Sequence, residues 1–289
     1  MDTDRENTGT LYLCATPIGN LEDITLRVLR VLQEVDLIAA EDTRHTRKLL
    51  NHYQIHTPLL SYHQHNRISR GQEILRKLVD GANIALVTDA GMPGIADPGA
   101  DLVQQVIAAG LPLVALPGAT ALITALAVSG LPTEGFVFAG FPPRKAKERE
   151  IFFNRLVAEQ RTAIIYESPH RLLLTLGDMA AKLGGRQLVV ARELTKIYEE
   201  IRRGTVSEHL AYYQKNQPRG EFCLVLGGAA VGDNKTGYEG ERLLKAISLV
   251  AELVALGVDK REAIRIASRE KGVPKRQVYQ AVIAQEKEK

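Results

Sequence analysis

NIALVTDAGMPGIADPG, residues 83–99, is where the chain changes character. Ile84, Ala85, Leu86 and Val87 form an apolar run of a length that suits a buried strand. The eleven residues that follow, DAGMPGIADPG (89–99), hold three glycines, two prolines and two aspartates. Glycine lets another group come close to the main chain, and proline holds a loop in one shape. An irregular excursion of that length at the carboxyl end of a strand predicts a binding loop rather than a plain turn. Asp89 and Asp97 are its candidate acceptors for a cationic or hydroxylated ligand. For Asp97 the preferred reading is a cap on the following helix, with Pro98 at the first helical position.

Outward from this loop, strands and helices alternate. Strands are predicted over 11–17, 36–42, 58–63, 83–89 and 112–118, with helices over 25–35, 45–53, 71–81, 101–110 and 119–130. Strands that are apolar throughout, with helices between them, predict a parallel sheet covered on both faces. GLPTEG (130–135) reads as a hinge, and the unit after it has a different rhythm. There the segments QLVVAREL (187–194) and YEEIRRGTV (198–206) follow one another closely, so they are predicted to pair as neighbouring strands. GGAAVGDNKTGYEG (227–240) reads as a Gly-rich linker and the rest as a small helical tail. The expected organisation is two α/β lobes, 1–130 and 131–229, followed by a linker and helical domain over 230–289.

Bulk properties narrow the class. The 289 residues are 45% hydrophobic and 25% charged, with two cysteines and no Trp. Cys14 and Cys223 sit inside predicted strands, which suits buried thiols in a reducing, cytoplasmic compartment. Residues 102–133 carry no charge, but Gly110, Pro112, Pro117, Gly118, Gly130 and Pro132 divide them. That segment is read as helix, strand and helix of a core, and no membrane association is expected. Residues 239–289 hold 11 Lys+Arg against 8 Asp+Glu, whereas residues 1–238 balance at 26 against 26. The basic excess in the tail points to a polyanionic partner.

The chemistry-bearing residues cluster at strand ends, where open parallel sheets bind ligands. The chain has no GxxxxGK[ST] and no GxGxxG after its first strand, so nucleotide-phosphate and dinucleotide readings fail. Five of the seven histidines fall between 45 and 65. His63 and His65 are predicted to share one face of a strand end, but no regular third ligand joins them and no metal is expected.

Taken in order, TPIGNLEDITLR, AAEDTRHT, TDAGMPGIADPG, LPGATA, GFPPRK, YESPHR, AREL and RGE resemble the tetrapyrrole-methylase (class III S-adenosylmethionine methyltransferase) superfamily. The resemblance runs from about Leu11 to the C-terminus. Within that superfamily the set is most similar to the branch that methylates the ribose 2′-oxygen of a cytidine in the decoding region of 16S rRNA.

The resemblance implies S-adenosylmethionine folded into the cleft between two α/β lobes. It implies cofactor contacts at Pro17, at Asp89, Gly91, Met92 and Gly94, at Thr120 and Ala121, and at Tyr166, Glu167 and Leu194. Many superfamily members have Gly-Asp-Pro at the aspartate loop, where this chain has Thr88-Asp89-Ala90. It also implies 16S rRNA in the small ribosomal subunit as substrate, and a homodimer.

Transfer to a ribose hydroxyl calls for a base, or a cation that stabilises the developing alkoxide. The candidates are Glu41, Asp42, Arg44, Glu167, Arg192 and Lys196, and the sequence does not choose among them. Arg144 and Lys145, after FPP, are expected to bind RNA phosphate. In the tail, PKRQVYQAVIAQ would present Lys275 and Arg276 at the start of a helix in a helix-turn-helix-like unit, read as an RNA-docking arm. Two other readings stay open at this level. One is a methylase of a small tetrapyrrole-like metabolite, and the other a non-catalytic RNA-binding protein on the same fold.

Overall fold

The computed structural model describes residues 8–229, 235–255 and 257–287. The first sheet has the order β3-β2-β4-β1-β5 and is parallel throughout. Its strands are β1 (Leu11–Cys14), β2 (Leu37–Ala40), β3 (Leu59–Ser61), β4 (Ile84–Val87) and β5 (Leu113–Leu116). The intervening helices are α1 (Leu26–Glu34), α2 (Thr43–His52), α3 (Arg67–Val79) and α4 (Gly99–Ala108). Each sheet face buries its own apolar cluster. Val28, Leu32 and Leu50 belong to one, and Ile74, Leu78, Leu102 and Val106 to the other. β4 is buried at every residue because it lies at the centre with helices on both sides.

The second sheet has the order β6-β7-β10-β8-β9. Its strands are β6 (Phe136–Gly140), β7 (Thr162–Glu167), β8 (Gln187–Arg192), β9 (Glu200–Thr205) and β10 (Phe222–Leu226). Only the β6–β7 pair is parallel; β8 and β9 are neighbours, as read from the sequence, and the structure makes the pair antiparallel. Helices α6 (Ala146–Val157), α7 (Pro169–Leu183) and α8 (Val206–Lys215) cover one face of this sheet. The other face is covered by α5 (Ala121–Ser129), the helix that leaves the first sheet. Leu122, Ala125 and Leu126 pack there on Ile164, Val189, Cys223 and Val225. Helix α5 ties the two sheets together at the point where the chain passes between them.

Residues 102–133 divide as expected into the end of α4, β5 and α5. Among the described residues no helix is long and apolar enough to cross a membrane. Cys14 and Cys223 are both free and buried.

Four details depart from the sequence reading. Helix α3 begins at Arg67, so Gly71 lies inside it and not at its start; there the absence of a side chain makes room for Gln105 of α4. A Cβ at Gly71 would lie 3.0 Å from Gln105 Oε1. Helix α4 begins at Gly99, so Pro98 precedes the helix instead of opening it. His63 and His65 lie in a turn beyond β3, where Asn66 Oδ1 accepts from His63 N (2.8 Å) and His63 Nδ1 accepts from His65 N (3.2 Å). Among the described residues no group of three metal-ligating side chains forms. Finally, the linker expected over 227–240 lies outside the described residues at 230–234, and from Lys235 it is already helical.

The tail consists of α9 (Lys235–Ala255), α10 (Lys260–Lys271) and α11 (Lys275–Lys287). In α9 the long apolar-periodic segment propagates the helix back through two glycines, whose propensity penalty is only about 1 kcal/mol each. Ala246, Val250, Ala263, Ile264, Ala267 and Val278, with Val273 from the turn between α10 and α11, form a core of this tail's own among the described residues. Asp259 caps α10 by accepting from the backbone N–H groups of Arg261 and Glu262, and Gly272 ends it in the left-handed conformation (φ 64°).

Candidate cofactor and active site between the two sheets

Loops from both sheets enclose a cavity of about 450 Å³. From the first sheet come Ile18 after β1, Glu41 after β2, residues 88–92 and 95–97 after β4, and Thr120 and Ala121 after β5. From the second come Phe141, the stretch 166–169, Ala191, Leu194 and the stretch 221–223. Such a volume lies within the roughly 300–1,000 Å³ range of sites for drug-sized ligands.

The aspartate loop is shaped by its own backbone bonds. Thr16 and Gly91 exchange N–H···O=C bonds of 3.0 Å each, which stitches the loop after β1 to the loop after β4. Gly91 has φ +83°, a conformation in which a side chain would be strained. Both Asp97 carboxylate oxygens are used within the loop. They accept from Gly94 N (2.8 Å to the nearer oxygen), Ile95 N (3.1 Å) and Gly99 N (2.7 Å). Asp97 therefore caps the start of α4 and folds the loop back on itself. Asp89 is placed differently. Its Oδ1 accepts from Asp42 N (3.1 Å), and Oδ2 has no partner among the described residues.

Five carboxylates line the cavity: Glu41, Asp89, Asp97, Glu167 and Glu221. Among the described residues no Lys or Arg lines it. Glu167 is fully engaged, with Oε2 accepting from Thr175 Oγ1 (2.5 Å), Oε1 from Ser168 N (2.8 Å), and Arg171 nearby. Glu41 Oε2 accepts from Thr88 Oγ1 (2.7 Å). Lys196 Nζ bridges Glu193 and Glu221, at 2.9 Å from each. Burial opposes its charge, yet these two carboxylates hold its ammonium above its ordinary pKa.

The apolar part of the wall is firm. The Tyr166 ring meets Phe138 and Phe141 edge to face, with centroids 4.9 and 5.6 Å apart. Tyr166 Oη accepts from Leu122 N (3.0 Å), so a residue of the second sheet caps the first turn of α5. Burial lifts the Tyr166 phenol to about 12, and burial lifts the Cys223 thiol to about 12 as well. Both stay neutral in the wall.

Of the residues expected at a cofactor, Asp89, Gly91, Met92, Thr120, Ala121, Tyr166, Glu167 and Leu194 line the cavity. Pro17 and Gly94 each precede a lining residue without lining it themselves. Of the catalytic candidates, Glu41 and Glu167 line it. Asp42 and Arg44 pair with each other outside it at the start of α2 (3.0 Å). Arg192 Nε lies 3.1 Å from Glu200 Oε2 but without hydrogen-bond alignment. Arg144 and Lys145 are exposed on the loop beside Phe141, and Lys275 and Arg276 are exposed at the start of α11.

Sequence reasoning passed over Glu221, Phe222 and Cys223 as site residues because it looked at the carboxyl ends of strands. β10 runs antiparallel to β7 and β8, and Phe222 pairs with both Glu167 and Arg192. The amino end of β10 thus arrives where its neighbours' carboxyl ends lie. The motif RGE (219–221) was the available signal.

The model of the Tetrapyrrole (Corrin/Porphyrin) Methylases matches residues 10–209. The chain is 52% identical over 273 residues to the ribosomal RNA small subunit methyltransferase I of a Synechocystis species, covering 94% of this chain and 96% of that protein. It is 48% identical over 277 residues to the protein of that name from Halalkalibacterium halodurans, covering 95% of each. Among solved structures, it resembles the uroporphyrin-III C-methyltransferase of Thermus thermophilus complexed with S-adenosyl homocysteine. The TM-score is 0.54 at 18% identity, over 76% of this chain and 97% of that one, a likeness of fold.

Proposed function

Because the chain belongs to the tetrapyrrole (corrin/porphyrin) methylases, we propose that it transfers a methyl group from S-adenosylmethionine to the ribose 2′-oxygen of a cytidine in the 16S rRNA of the small ribosomal subunit. The observation that carries the reading is the cavity lined by five carboxylates and, among the described residues, no basic side chain. Such a lining repels phosphates and suits a ligand bearing a sulfonium and an ammonium group.

When bound, the cofactor supplies a methyl group already activated by positively charged sulfur. The chain's own residues do the rest. Asp89, with one oxygen held by Asp42 N and the other open, holds a hydroxyl or ammonium group of the cofactor. The buried Ala191, Leu194, Phe222 and Cys223 give an apolar wall that excludes water. A low-dielectric pocket favours a step in which charge disappears. Glu41 takes the proton of the attacking hydroxyl: of the catalytic candidates it alone lines the cavity with a carboxylate oxygen that has no partner among the described residues. The basic residues that meet RNA are not part of this lining: Arg144 and Lys145 are exposed on the loop that begins at its rim residue Phe141, and Lys275 and Arg276 are exposed on α11. Pairing of two copies belongs to the same proposal, and sedimentation of the purified chain tests it.

The deciding experiment is tritium transfer from labelled S-adenosylmethionine to small ribosomal subunits, followed by nuclease mapping. Label on the ribose of one cytidine is expected. Glu41→Gln should keep cofactor affinity and lower kcat by about 10²-fold or more. Label in a base, or none in RNA, would overturn the reading.

A further inference from the structure

Phe141 is a large apolar side chain that the fold leaves 52% exposed. It stands at the mouth of the cavity, whose inner apolar wall is already made by Tyr166, Leu194 and Cys223. Its ring meets Tyr166 edge to face, with an interplanar angle of 62°. That contact braces one side of the ring.

The loop that carries it is rigid for identifiable reasons. Pro142 and Pro143 follow directly, and two arginines hold the backbone from beneath. Arg171 Nη2 donates to Pro142 O (2.6 Å) and Pro143 O (3.1 Å). Arg149, itself 5% exposed, donates from Nη1 to Arg144 O (2.8 Å) and pairs with Asp178 through Nε. With the main chain pinned, Arg144 and Lys145 are exposed on the same loop three and four residues beyond Phe141. Lys145 Nζ is paired with Glu148 Oε1 (3.0 Å), so Arg144 is the cation that a phosphate grip relies on.

We infer that Phe141 is the stacking platform for the nucleobase of the nucleotide whose ribose enters the cavity, and that it acts together with a phosphate grip at Arg144. The inference rests on the proposed function and names how that substrate is held. Proteins that hold single-stranded nucleic acid combine an aromatic face with neighbouring cations, because every base has a π-face and every nucleotide a phosphate. A ring braced by Tyr166, with only two side-chain torsions to order, loses little freedom on stacking. Phe141 lines only the rim of the cavity and is half exposed, whereas Leu194 and Cys223 deeper in the wall are buried; the rim position assigns Phe141 to the substrate and leaves the buried wall for the cofactor.

The chain contains no Trp, so Phe141→Trp creates a single fluorescent reporter at the platform. Its emission should be unchanged by S-adenosylmethionine alone and quenched when small-subunit RNA is added, and the variant should methylate. Phe141→Leu should raise KM for small subunits about 10-fold, the scale of one lost base stack, with the cofactor Kd from calorimetry unchanged. Quenching by the cofactor alone would assign the ring to the cofactor's adenine and overturn the inference. So would a Phe141→Leu protein with wild-type KM. Failure of the unaltered protein to methylate small subunits would bring down the functional reading itself, a result distinct from both.

Discussion

Asp89 and Asp97 occupy one loop and perform different tasks. Asp97 spends its carboxylate on three backbone N–H groups, so its removal leaves those donors unmet. A buried donor that loses its acceptor costs about 1–3 kcal/mol, and of the three Gly99 is the buried one while Ile95 can turn to water. Asp89 keeps one oxygen for the cavity. Asp89→Asn should therefore weaken S-adenosylmethionine binding about 10-fold while leaving the unfolding midpoint within a degree or two. Asp97→Ala should lower the midpoint and weaken binding together. Calorimetry and thermal melts on the two variants check this contrast, and equal behaviour of both would contradict it. The sequence showed two acidic residues in a glycine loop. It favoured Asp97 as the cap of the following helix, as found, but did not show that the same carboxylate also accepts from Gly94 and Ile95 and so closes the loop on itself, because that depends on where those N–H groups aim.

At the scale of elements, helix-to-strand packing sets a pH dependence. His209 on α8 is 1% exposed and its Nε2 donates to Leu188 O of β8 (2.9 Å). Burial holds its pKa below 6.5, with Arg202 pressing the same way. The Leu188 carbonyl, Glu208 and Glu200 oppose the shift. The unfolded chain thus takes up the proton more readily than the folded one. The contribution of this residue is complete above pH 6.5. It falls as pH drops through 6.5 and levels off below the folded pKa. Urea midpoints should be lower at pH 5.5 than at pH 7.5, and the difference should shrink in His209→Gln, whose amide can still donate to Leu188 O. An undiminished difference would place the pH response in other groups.

The same scale shows why some elements were legible and others not. The strands of the first sheet were readable because central parallel strands are apolar at every position. The start of α3 was misread because Gly71 looked like punctuation. Its role is contact with Gln105, which lies 34 residues away in sequence. The capping of α5 by Tyr166 was invisible for the same reason, since the two residues come together only when the sheets do.

At the scale of the whole molecule, the tail stands apart. The core of α9, α10 and α11 is built from their own side chains, while the cavity is built from residues of the two sheets and their loops. Removing residues 230–289 should leave cofactor affinity within about twofold and cut methyl transfer to small subunits by 10-fold or more, because basic docking surfaces supply RNA affinity and not methyl-donor binding. Calorimetry with S-adenosylmethionine and tritium transfer to small subunits, both on the truncated chain, measure the two quantities separately. Full transfer without the tail would remove its docking role.

What the sequence determined by itself was the kind of parts. Periodicity and strand-end glycines specify two α/β units with a helical tail, and the missing phosphate loops exclude a nucleotide grip, since these properties reside in neighbouring residues. What only the tertiary structure decided was which groups meet. The antiparallel entry of β10 brings Glu221 to the site, Lys196 is consumed between two carboxylates, and Glu41 and Asp89 are left open to the cavity. Those outcomes depend on strand direction and on hydrogen-bond partners far away in the chain, and a linear pattern carries neither.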